Sequence, residues 1–545
     1  MRCPRVARRT CWEPHVKNDY LGRLGRLPGL VLLLLASGIG APSEAAELDG
    51  LSAAPSVPPS GADSVLRSTD LKADLQVLRR AYETLHPGLL RYNTPAQIDS
   101  AFDALEKEFG QDRTLGQAYL GLSLLAAKVK CGHTYPNFFN QAESVAAALF
   151  RSPRLPFYFR WLGDRMIVTR SFASEESILP GTEVLAINDV PVATILARLT
   201  TVARADGNND AKRVADLEVQ GTSRFEAFDI YWPLFFPANA SLVTLFVRAP
   251  GDLSARRVTV PLVAFTDRLP VIEAGHEPAN EGASEASPDG AAPIWEYRLL
   301  EDRIGYLRMP SWVLYNTSWD WKGFLEQTFA SLVASGATDL VVDLRNNEGG
   351  SDVGDVLVSH LVTEPIPRQA VTRLVRYRRV PDDLLPYLDT WDPSFKDWGA
   401  AAIDSTDRFY RLRRDADDDL GAVITPSLPR FAGRLWVLVG AANSSATFEF
   451  AQTVRQNRLG LLVGQPTGGN QRGINGGAFF FLRLPRTGLE LDLPLIGQFR
   501  QGKWPDAGLE PDLFVVPRVE DIAQGRDAEL EAVRAEIRRR DGSGR

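Results

Sequence analysis

Two short apolar runs in the second half of the chain, residues 340–342 and 435–439, each end in a polar turn. Runs of this length that are rich in β-branched residues are typical of buried strands. Residues 321–335 and 448–456 instead have the apolar spacing of helices. Strands that alternate with helices predict an α/β layer fold, and we assign it to residues 294–520.

The first half of the chain has a different pattern. Apolar residues recur at helical spacing through residues 70–127, as in Leu71, Leu75 and Leu78, which predicts an N-terminal helical domain over residues 67–150. Strand patterns follow, with a Pro-Gly turn at 180–181 and Asn188-Asp189 between apolar runs, which predicts a hairpin. Further strands at 243–247 and 258–263 complete a β module over residues 151–270.

The remaining segments are terminal or connecting. Several arginines precede a short apolar run at 30–36, and small residues follow through Ala46, which predicts a secretory signal over residues 1–46. We therefore expect a secreted or periplasmic protein, and the apolar run is too short for a comfortable membrane span. Residues 47–66 and 271–293 have the composition of a disordered spacer and a linker, and the pattern of residues 521–545 predicts a charged amphipathic C-terminal helix.

Composition excludes some classes of function. A chain of 545 residues is long enough for about three domains. Its net charge of −7, with no basic stripe, argues against nucleic-acid binding. Cys3 and Cys11 lie in the signal segment, so Cys131 is the only cysteine after it; the sequence therefore predicts no internal disulfide and has no zinc motif.

The turn after the second apolar run carries Ser444 and Ser445 at the start of a predicted helix. One interpretation is that these serines only cap the helix. The other is that one of them is a nucleophile, since free N–H groups at a helix N-terminus favour developing negative charge. Acyl transfer needs this combination of a hydroxyl and oxyanion donors.

The turn after the first apolar run ends in Gly349 and Gly350. Paired glycines let the backbone adopt positive φ and let another group approach closely. Such a turn can direct N–H groups at a substrate oxygen, although it is also compatible with an ordinary strand–turn–helix connection.

Together these turns resemble those of the tail-specific, or C-terminal-processing, serine peptidases. The family's Asp-Leu-Arg-x-Asn-x-Gly-Gly turn corresponds to residues 343–350, and its Ser-Ala helix start corresponds to Ser445-Ala446. Residues 462–469 and 508–512 are similar to two further family segments, and the resemblance extends over roughly residues 70–540. It implies a ClpP/crotonase-like core, a polypeptide substrate, and no cofactor or metal.

The resemblance also implies a choice of general base. One branch of the family uses a lysine after the serine, but Asn470 stands at that position here and Arg472 remains protonated. Lys503 would have to fold back into the site. A tricorn-core-like branch uses an N-terminal histidine, and residues 131–135 resemble its Asp-Gly-His-Thr motif, which makes His133 the candidate base.

The other histidines fit less well. His15 lies in the signal segment, His276 lies in the linker, His86 reads as a helix end before proline, and His360 reads as a core residue.

A third group should orient the histidine. In the histidine-using branch an acid just before the Gly-x-x-Pro-Asp turn does so, which makes Asp506 the candidate, with Glu510 and Asp512 as alternatives. The oxyanion donors implied by the resemblance are the N–H groups of Ala446 and of Gly349 or Gly350. A Cys131–His133 nucleophile pair is the less favoured reading, because the two lie two residues apart on an irregular segment.

The β module resembles a known peptide-binding domain at one segment. Residues 181–190 are similar to the Gly-Asp-x-Ile-Leu-x-Ile-Asn-Gly segment of PDZ domains, which capture peptide ends as an added strand. The sequence thus favours a serine endopeptidase. A noncatalytic peptide-binding protein and an esterase or amidase with the same site remain open.

Overall fold

The computed structural model describes residues 61–173, 178–238, 241–268, 294–315, 317–406, 408–413 and 423–542. The predicted signal segment, the spacer up to residue 60 and the predicted linker lie outside these residues. Among the helices that the structure describes, none combines the length and the apolar character needed to cross a membrane.

A mixed sheet of six strands forms the centre of the second half of the chain. Its spatial order is β22-β19-β18-β11-β10-β9, and every pair is parallel except the one that β9 makes at the edge. The strands are β9 (Glu296–Leu300), β10 (Ile304–Arg308), β11 (Asp339–Asp343), β18 (Arg434–Val439), β19 (Gly460–Gly464) and β22 (Leu513–Phe514).

Helices cover both faces of this sheet. They are α8 (Trp321–Ala334), α9 (Val353–Ser359), α10 (Ser445–Gln456) and α12 (Ala528–Gly542), whereas the short α11 (Val519–Ala523) contacts a strand of the sheet in the first half of the chain. Successive side chains of a strand point to opposite faces, so Val437 joins the cluster that includes α8, α9 and α10, whereas Trp436 and Leu438 pack with Val533 and Ile537 of α12. This two-sided burial explains why the two apolar runs are continuous and not alternating.

The parallel arrangement positions the two turns of interest. In the register of β11 and β18, Asp343 lies opposite Leu438. Both strands therefore end at the same edge of the sheet, and the turns that follow them, at 344–350 and 440–445, meet there. The α/β prediction is confirmed, and the helix expected at 448–456 begins three residues earlier, at Ser445.

The first half of the chain begins with a group of four helices and continues into a second sheet. The helices are α1 (Ser68–Leu85), α2 (Pro95–Glu108), α3 (Leu115–Lys128) and α4 (Glu143–Leu149). Two short strands, β1 (Val65–Leu66) before α1 and β2 (Arg113–Thr114) before α3, pair with each other. Antiparallel strands in the order β3-β4-β5-β7-β8 follow, with β6 paired to β5. These are β3 (Phe157–Leu162), β4 (Arg165–Ser171), β5 (Glu183–Ile187), β6 (Val190–Pro191), β7 (Leu242–Arg248) and β8 (Arg256–Pro261), with α5 (Val192–Leu199), α6 (Asp210–Asp216) and α7 (Ala227–Phe235) between them.

The predicted hairpin is confirmed, because β5 pairs antiparallel with β6 through Asn188 and Asp189, which both have positive φ. Asparagine and aspartate tolerate this conformation in two-residue hairpin turns.

A third sheet, with strand order β14-β20-β21-β13-β16-β15, is inserted in the second half. Its strands are β13 (Val371–Val375), β14 (Leu388–Asp389), β15 (Ala402–Thr406), β16 (Phe409–Leu412), β20 (Asn475–Arg483) and β21 (Glu490–Arg500), and a separate short pair is formed by β12 (Ile366–Pro367) and β17 (Val423–Ile424). One continuous apolar cluster joins α1–α4, the second sheet and this third sheet. The division of the chain at residues 150 and 270 stays a prediction.

Candidate active site

Ser445 begins α10 directly after the turn that leaves β18, and its backbone φ is +50°. Residues other than glycine rarely adopt this conformation, which costs roughly 1–3 kcal/mol and persists only where the surroundings hold it. Ser444 occupies the N-cap position without a capping hydrogen bond, and its hydroxyl donates to the Glu348 carbonyl at 3.1 Å. The capping interpretation is therefore wrong, and the Ser445 hydroxyl has no hydrogen-bond partner among the residues that the structure describes.

Buried side chains fasten the serine turn to the turn after β11. Asn443, which is fully buried, accepts from the Gly440 N–H at 2.8 Å and donates to the carbonyls of Asn347, at 2.9 Å, and Leu344. The Thr447 hydroxyl donates to the same Asn347 carbonyl at 3.0 Å. These bonds satisfy buried polar groups on both sides, so they hold Ser445 in its strained conformation against the glycine turn.

The glycine pair is required by geometry at this contact. Gly349 and Gly350 have φ values of +111° and +134°. A Cβ on Gly349 would lie 2.9 Å from both the Ala446 nitrogen and the Ser445 Cβ, and one on Gly350 would lie 2.2 Å from the Trp312 carbonyl oxygen. The first glycine therefore lets the nucleophile turn approach, and the second lets the chain pass residue 312.

The three predicted oxyanion donors are not equivalent. The Gly349 N–H donates to the Asn347 side chain at 2.9 Å, so this donor is already occupied. Within the described part of the chain, the N–H groups of Gly350 and Ala446 have no acceptor. The Ala446 N–H belongs to the first turn of α10, where intrahelical acceptors are lacking and the helix dipole favours negative charge.

His133 lies on a turn after α3 that contacts residues from several parts of the chain. The Gly132 N–H donates to Asp206 at 3.1 Å, and the Gly132 carbonyl accepts from Arg204 at 3.2 Å. The buried His86 ring contacts the Thr134 hydroxyl at 2.8 Å and accepts from the Gly88 N–H at 3.0 Å, so its role is to hold the turn. Burial lowers the pKa of His86 to about 3, which keeps it neutral.

The His133 ring itself is uncommitted. Its Nδ1 atom is buried and has no hydrogen-bond partner in the described residues, and its ring packs 5.7 Å from the Phe479 ring. One ring nitrogen, the Cys131 sulfur and an Asp206 carboxylate oxygen all lie within 4.8 Å of one another. Burial lowers the pKa of His133, and the Asp206 charge partly opposes that shift.

Arg204 bridges the histidine turn and the glycine turn. Its guanidinium donates to the Gly132 carbonyl and also to the Glu348 carboxylate, at 2.8 Å, so one side chain ties the turn that carries His133 to the glycine turn against which Ser445 packs. No hydrogen bond joins His133 to Ser445 directly in the part of the chain that the structure describes.

Glu348 is the anionic centre of this region. Lys212, whose side chain is only 3% exposed, donates to Glu348 at 2.8 Å and to the Ala442 carbonyl at 3.2 Å. The Glu348 side chain is 44% exposed, so the desolvation that would raise its pKa is only partial, and Lys212 and Arg204 outweigh it and lower the pKa to about 2. The Lys212 amine is therefore bound to a carboxylate next to the serine turn.

Asn470 and Asp506 form a neighbouring network. The fully buried Asn470 donates to the Asp506 carboxylate at 2.7 Å and to the Asp206 carbonyl at 3.0 Å. Asn208 donates to Asp506 through its backbone, at 3.0 Å, and through its side chain. Burial would raise the pKa of Asp506, but these donors lower it. Both oxygens of Asp506 are engaged here, and Asp206 is the carboxylate that lies beside His133.

The other candidates lie apart from this arrangement. His360 stacks 4.4 Å from the Phe329 ring and bonds the Pro429 carbonyl, which confirms its core role. Lys503 and Glu510 are exposed, and Asp512 accepts from the Leu462 N–H. His15 and His276 lie outside the described residues.

Cys131 is also unsuited to nucleophilic attack. It is buried, and burial raises the pKa of its thiol to about 11. The Asn475 amide donates to its sulfur at 3.3 Å. Thiols react as thiolates, so this environment argues against a cysteine nucleophile.

Comparison with known proteins gives a family and a fold. The family model described as Peptidase family S41 matches residues 303–513. Two structures of mature CPAF, one of them complexed with lactacystin, superpose with TM-scores of 0.55 and 0.56 at 17% and 16% identity, covering 84% of this chain and 94–95% of theirs. At this identity the likeness shows a shared fold. No curated protein sequence matches the chain.

Proposed function

Since residues 303–513 match peptidase family S41 and the protein is a serine-type peptidase, we propose that it cleaves polypeptides by acyl-enzyme chemistry with Ser445 as the nucleophile and His133 as the general base. The observation that carries this proposal is the strained Ser445 at the start of α10, which packs against Gly349; the Ser445 hydroxyl and the neighbouring Ala446 N–H have no hydrogen-bond partner among the described residues.

The chemistry follows from these positions. The Ser445 hydroxyl attacks the substrate carbonyl and gives its proton to a His133 ring nitrogen, while the Gly350 and Ala446 N–H groups stabilise the oxyanion of the tetrahedral intermediate. The protonated His133 then gives this proton to the leaving amine. Water, activated by the same ring, hydrolyses the acyl-enzyme and restores Ser445.

Histidine is preferred over lysine as the base for two reasons. The lysine position of the other branch is held by Asn470, whose amide is committed to Asp206 and Asp506. The lowered pKa of His133 keeps its ring neutral and able to accept a proton near neutral pH. We therefore place the protein in the histidine-using, tricorn-core-like branch. Catalytic hydrogen bonds often tighten only when substrate binds, so the missing Ser445–His133 bond is compatible with this role.

We assign the positioning acid to Asp206 in place of Asp506. Asp206 lies within 4.8 Å of the His133 and Cys131 ligand atoms, and it also binds the backbone of the histidine turn at Gly132. A carboxylate in this position favours the imidazolium that forms during attack. Asp506 then contributes indirectly, because it accepts a hydrogen bond from Asn470, which also donates to the Asp206 carbonyl.

The architecture supports a role for the flanking regions in substrate binding. We propose that residues 294–520 form a ClpP/crotonase-like core, that residues 67–150 form a helical domain that delivers His133, and that residues 151–270 form a PDZ-like module that captures a peptide end. On the pattern of residues 1–46 we also propose export to the periplasm or the medium.

Labelling with a serine-reactive fluorophosphonate tests the nucleophile. Wild-type protein is expected to form one adduct at Ser445, located by peptide mass spectrometry, and Ser445→Ala is expected to lose both the adduct and peptide cleavage. Ser444→Ala is the matched control, because the Ser444 hydroxyl is bonded to the Glu348 carbonyl and its loss leaves the neighbouring hydroxyl in place. Cleavage by Ser445→Ala at the wild-type rate would refute the assignment. Turnover of esters but not of peptides would instead indicate an esterase.

A further inference from the structure

Cys131, His133 and Asp206 bring three different metal-ligand types together without a local sequence motif. Their sulfur, ring nitrogen and carboxylate oxygen lie within 4.8 Å of one another, although Asp206 is far from the other two in the chain. Cys131 and Asp206 are each 2% exposed, and the buried His133 Nδ1 has no hydrogen-bond partner in the described part of the chain.

The supporting contacts resemble those that orient metal ligands. The Asn475 amide donates to the Cys131 sulfur at 3.3 Å, and the Gly132 N–H donates to the Asp206 carboxylate at 3.1 Å. Such outer contacts fix ligand direction and tune affinity. The Gly132 contact also links the carboxylate to the turn that carries the other two ligands.

The donor set selects the ion. Thiolate, imidazole and carboxylate ligands suit Zn²⁺, which takes three protein ligands and a water at about 2.0–2.3 Å in tetrahedral sites. Ligand atoms around such an ion are about 3.3–3.8 Å apart. The three atoms here lie within 4.8 Å of one another, so each pair needs to close by at most roughly 1–1.5 Å, which side-chain rotations accomplish.

We propose that Cys131, His133 and Asp206 bind Zn²⁺ and that the bound ion inhibits the peptidase. A neutral imidazole that gives the lone pair of one nitrogen to the metal carries its proton on the other nitrogen. Neither nitrogen can then accept the Ser445 proton. The ion forms bonds to sulfur, nitrogen and oxygen, the Cys131 thiol releases one proton to solvent, and no redox step occurs. The inhibitory part rests on the proposed role of His133, whereas the binding part does not.

Metal binding is tested first, without turnover. Co²⁺ is added to full-length Ser445→Ala protein that also carries Cys3→Ser and Cys11→Ser, so that Cys131 is its only thiol. We expect one Co²⁺ per chain with a thiolate-to-cobalt charge-transfer band that Zn²⁺ displaces. Cys131→Ser should abolish the band, and Asp206→Asn should weaken Co²⁺ binding at least about tenfold.

Asp210→Asn serves as the matched control, because its side chain is 87% exposed in the same region and should leave the affinity unchanged. The absence of the band in a folded protein, or equal affinity in Asp206→Asn, overturns the proposal.

Inhibition is tested with active protein. Zn²⁺ should inhibit peptide cleavage reversibly, with recovery on EDTA addition. Cys131→Ser should need at least about tenfold more Zn²⁺, with each variant referred to its own zinc-free rate. Stoichiometric binding without inhibition would contradict His133 as the base but leave the metal site intact. If the protein that retains Cys131, His133 and Asp206 binds no Co²⁺ while His133→Ala is inactive, the metal site is refuted and the peptidase mechanism remains intact.

Discussion

Replacing Gly349 with alanine tests whether the contact between the two turns sets the position of the nucleophile. The new Cβ would stand 2.9 Å from the Ser445 Cβ and from the Ala446 nitrogen. Carbon atoms in contact prefer about 3.5–4.0 Å, so the turns must separate by roughly 0.6 Å or more. The φ of +111° adds a strain of roughly 1–3 kcal/mol.

The two effects should appear in different measurements. The strain lowers the free energy of unfolding, measured by denaturant titration. The displacement moves Ser445 relative to its oxyanion donors and its base, and a misplacement of about 1 Å lowers a rate roughly 100-fold. We therefore expect kcat for peptide cleavage to fall about 10- to 100-fold.

Gly336→Ala supplies the matched control. Gly336 also has positive φ, at +64°, but a Cβ there meets no atom within 4 Å. This variant should lose about 1–2 kcal/mol of stability with kcat unchanged. A Gly349→Ala enzyme with wild-type kcat, or an equal loss of kcat in both variants, would refute the argument that close packing at residue 349 positions Ser445.

Three further substitutions address the base and its partners. His133→Gln should lower kcat/KM at least about 1,000-fold, measured with a fluorogenic peptide in EDTA. Because burial lowers the pKa of His133, the wild-type acid limb, where activity rises with pH as the ring loses its proton, should lie below the ordinary histidine value of 6.5. Asp206→Asn removes the charge that raises this pKa, so the acid limb of that variant should move to still lower pH and its kcat should fall. Asp506→Asn should leave the acid limb where it is in the wild type. A shifted limb in Asp506→Asn and an unshifted limb in Asp206→Asn would restore Asp506 as the positioning acid. Asn470→Lys should not create a lysine base, since it replaces a fully buried amide that makes three hydrogen bonds, and we expect about 1–3 kcal/mol of destabilisation by denaturant titration; a gain in activity would contradict this.

The sequence was sufficient to predict those elements whose structure depends on the local pattern of residues. The apolar runs of β11 and β18 predicted buried strands because helices cover both sheet faces, and the glycines at 349 and 350 have the positive φ that their pairing suggested. The start of α10 was misplaced because Ser445 departs from ordinary helical geometry, and that strain comes from contacts distant in the chain.

The residues of the candidate site that the sequence did not predict lie in one polar segment. Arg204, Asp206 and Lys212 lie within residues 204–212, where no local motif marks them and their roles arise from tertiary contacts with residues 132, 348 and 442. The density of charge in that segment was the available signal. The choice of Asp506 was drawn from family order along the chain, whereas the neighbour of His133 is determined by which loops pack together.

The Arg204 bridge has a consequence for the timing of activity. One guanidinium ties the turn that presents the imidazole to the turn beside the serine, and these turns come from opposite halves of the polypeptide. During synthesis the proton acceptor emerges long before the hydroxyl it serves. On the proposed mechanism, a partly synthesised chain that lacks Ser445, or a fragment limited to residues 303–513 that lacks His133, cannot hydrolyse peptides. Activity therefore begins only after both halves have folded together, which prevents the chain from digesting itself during synthesis.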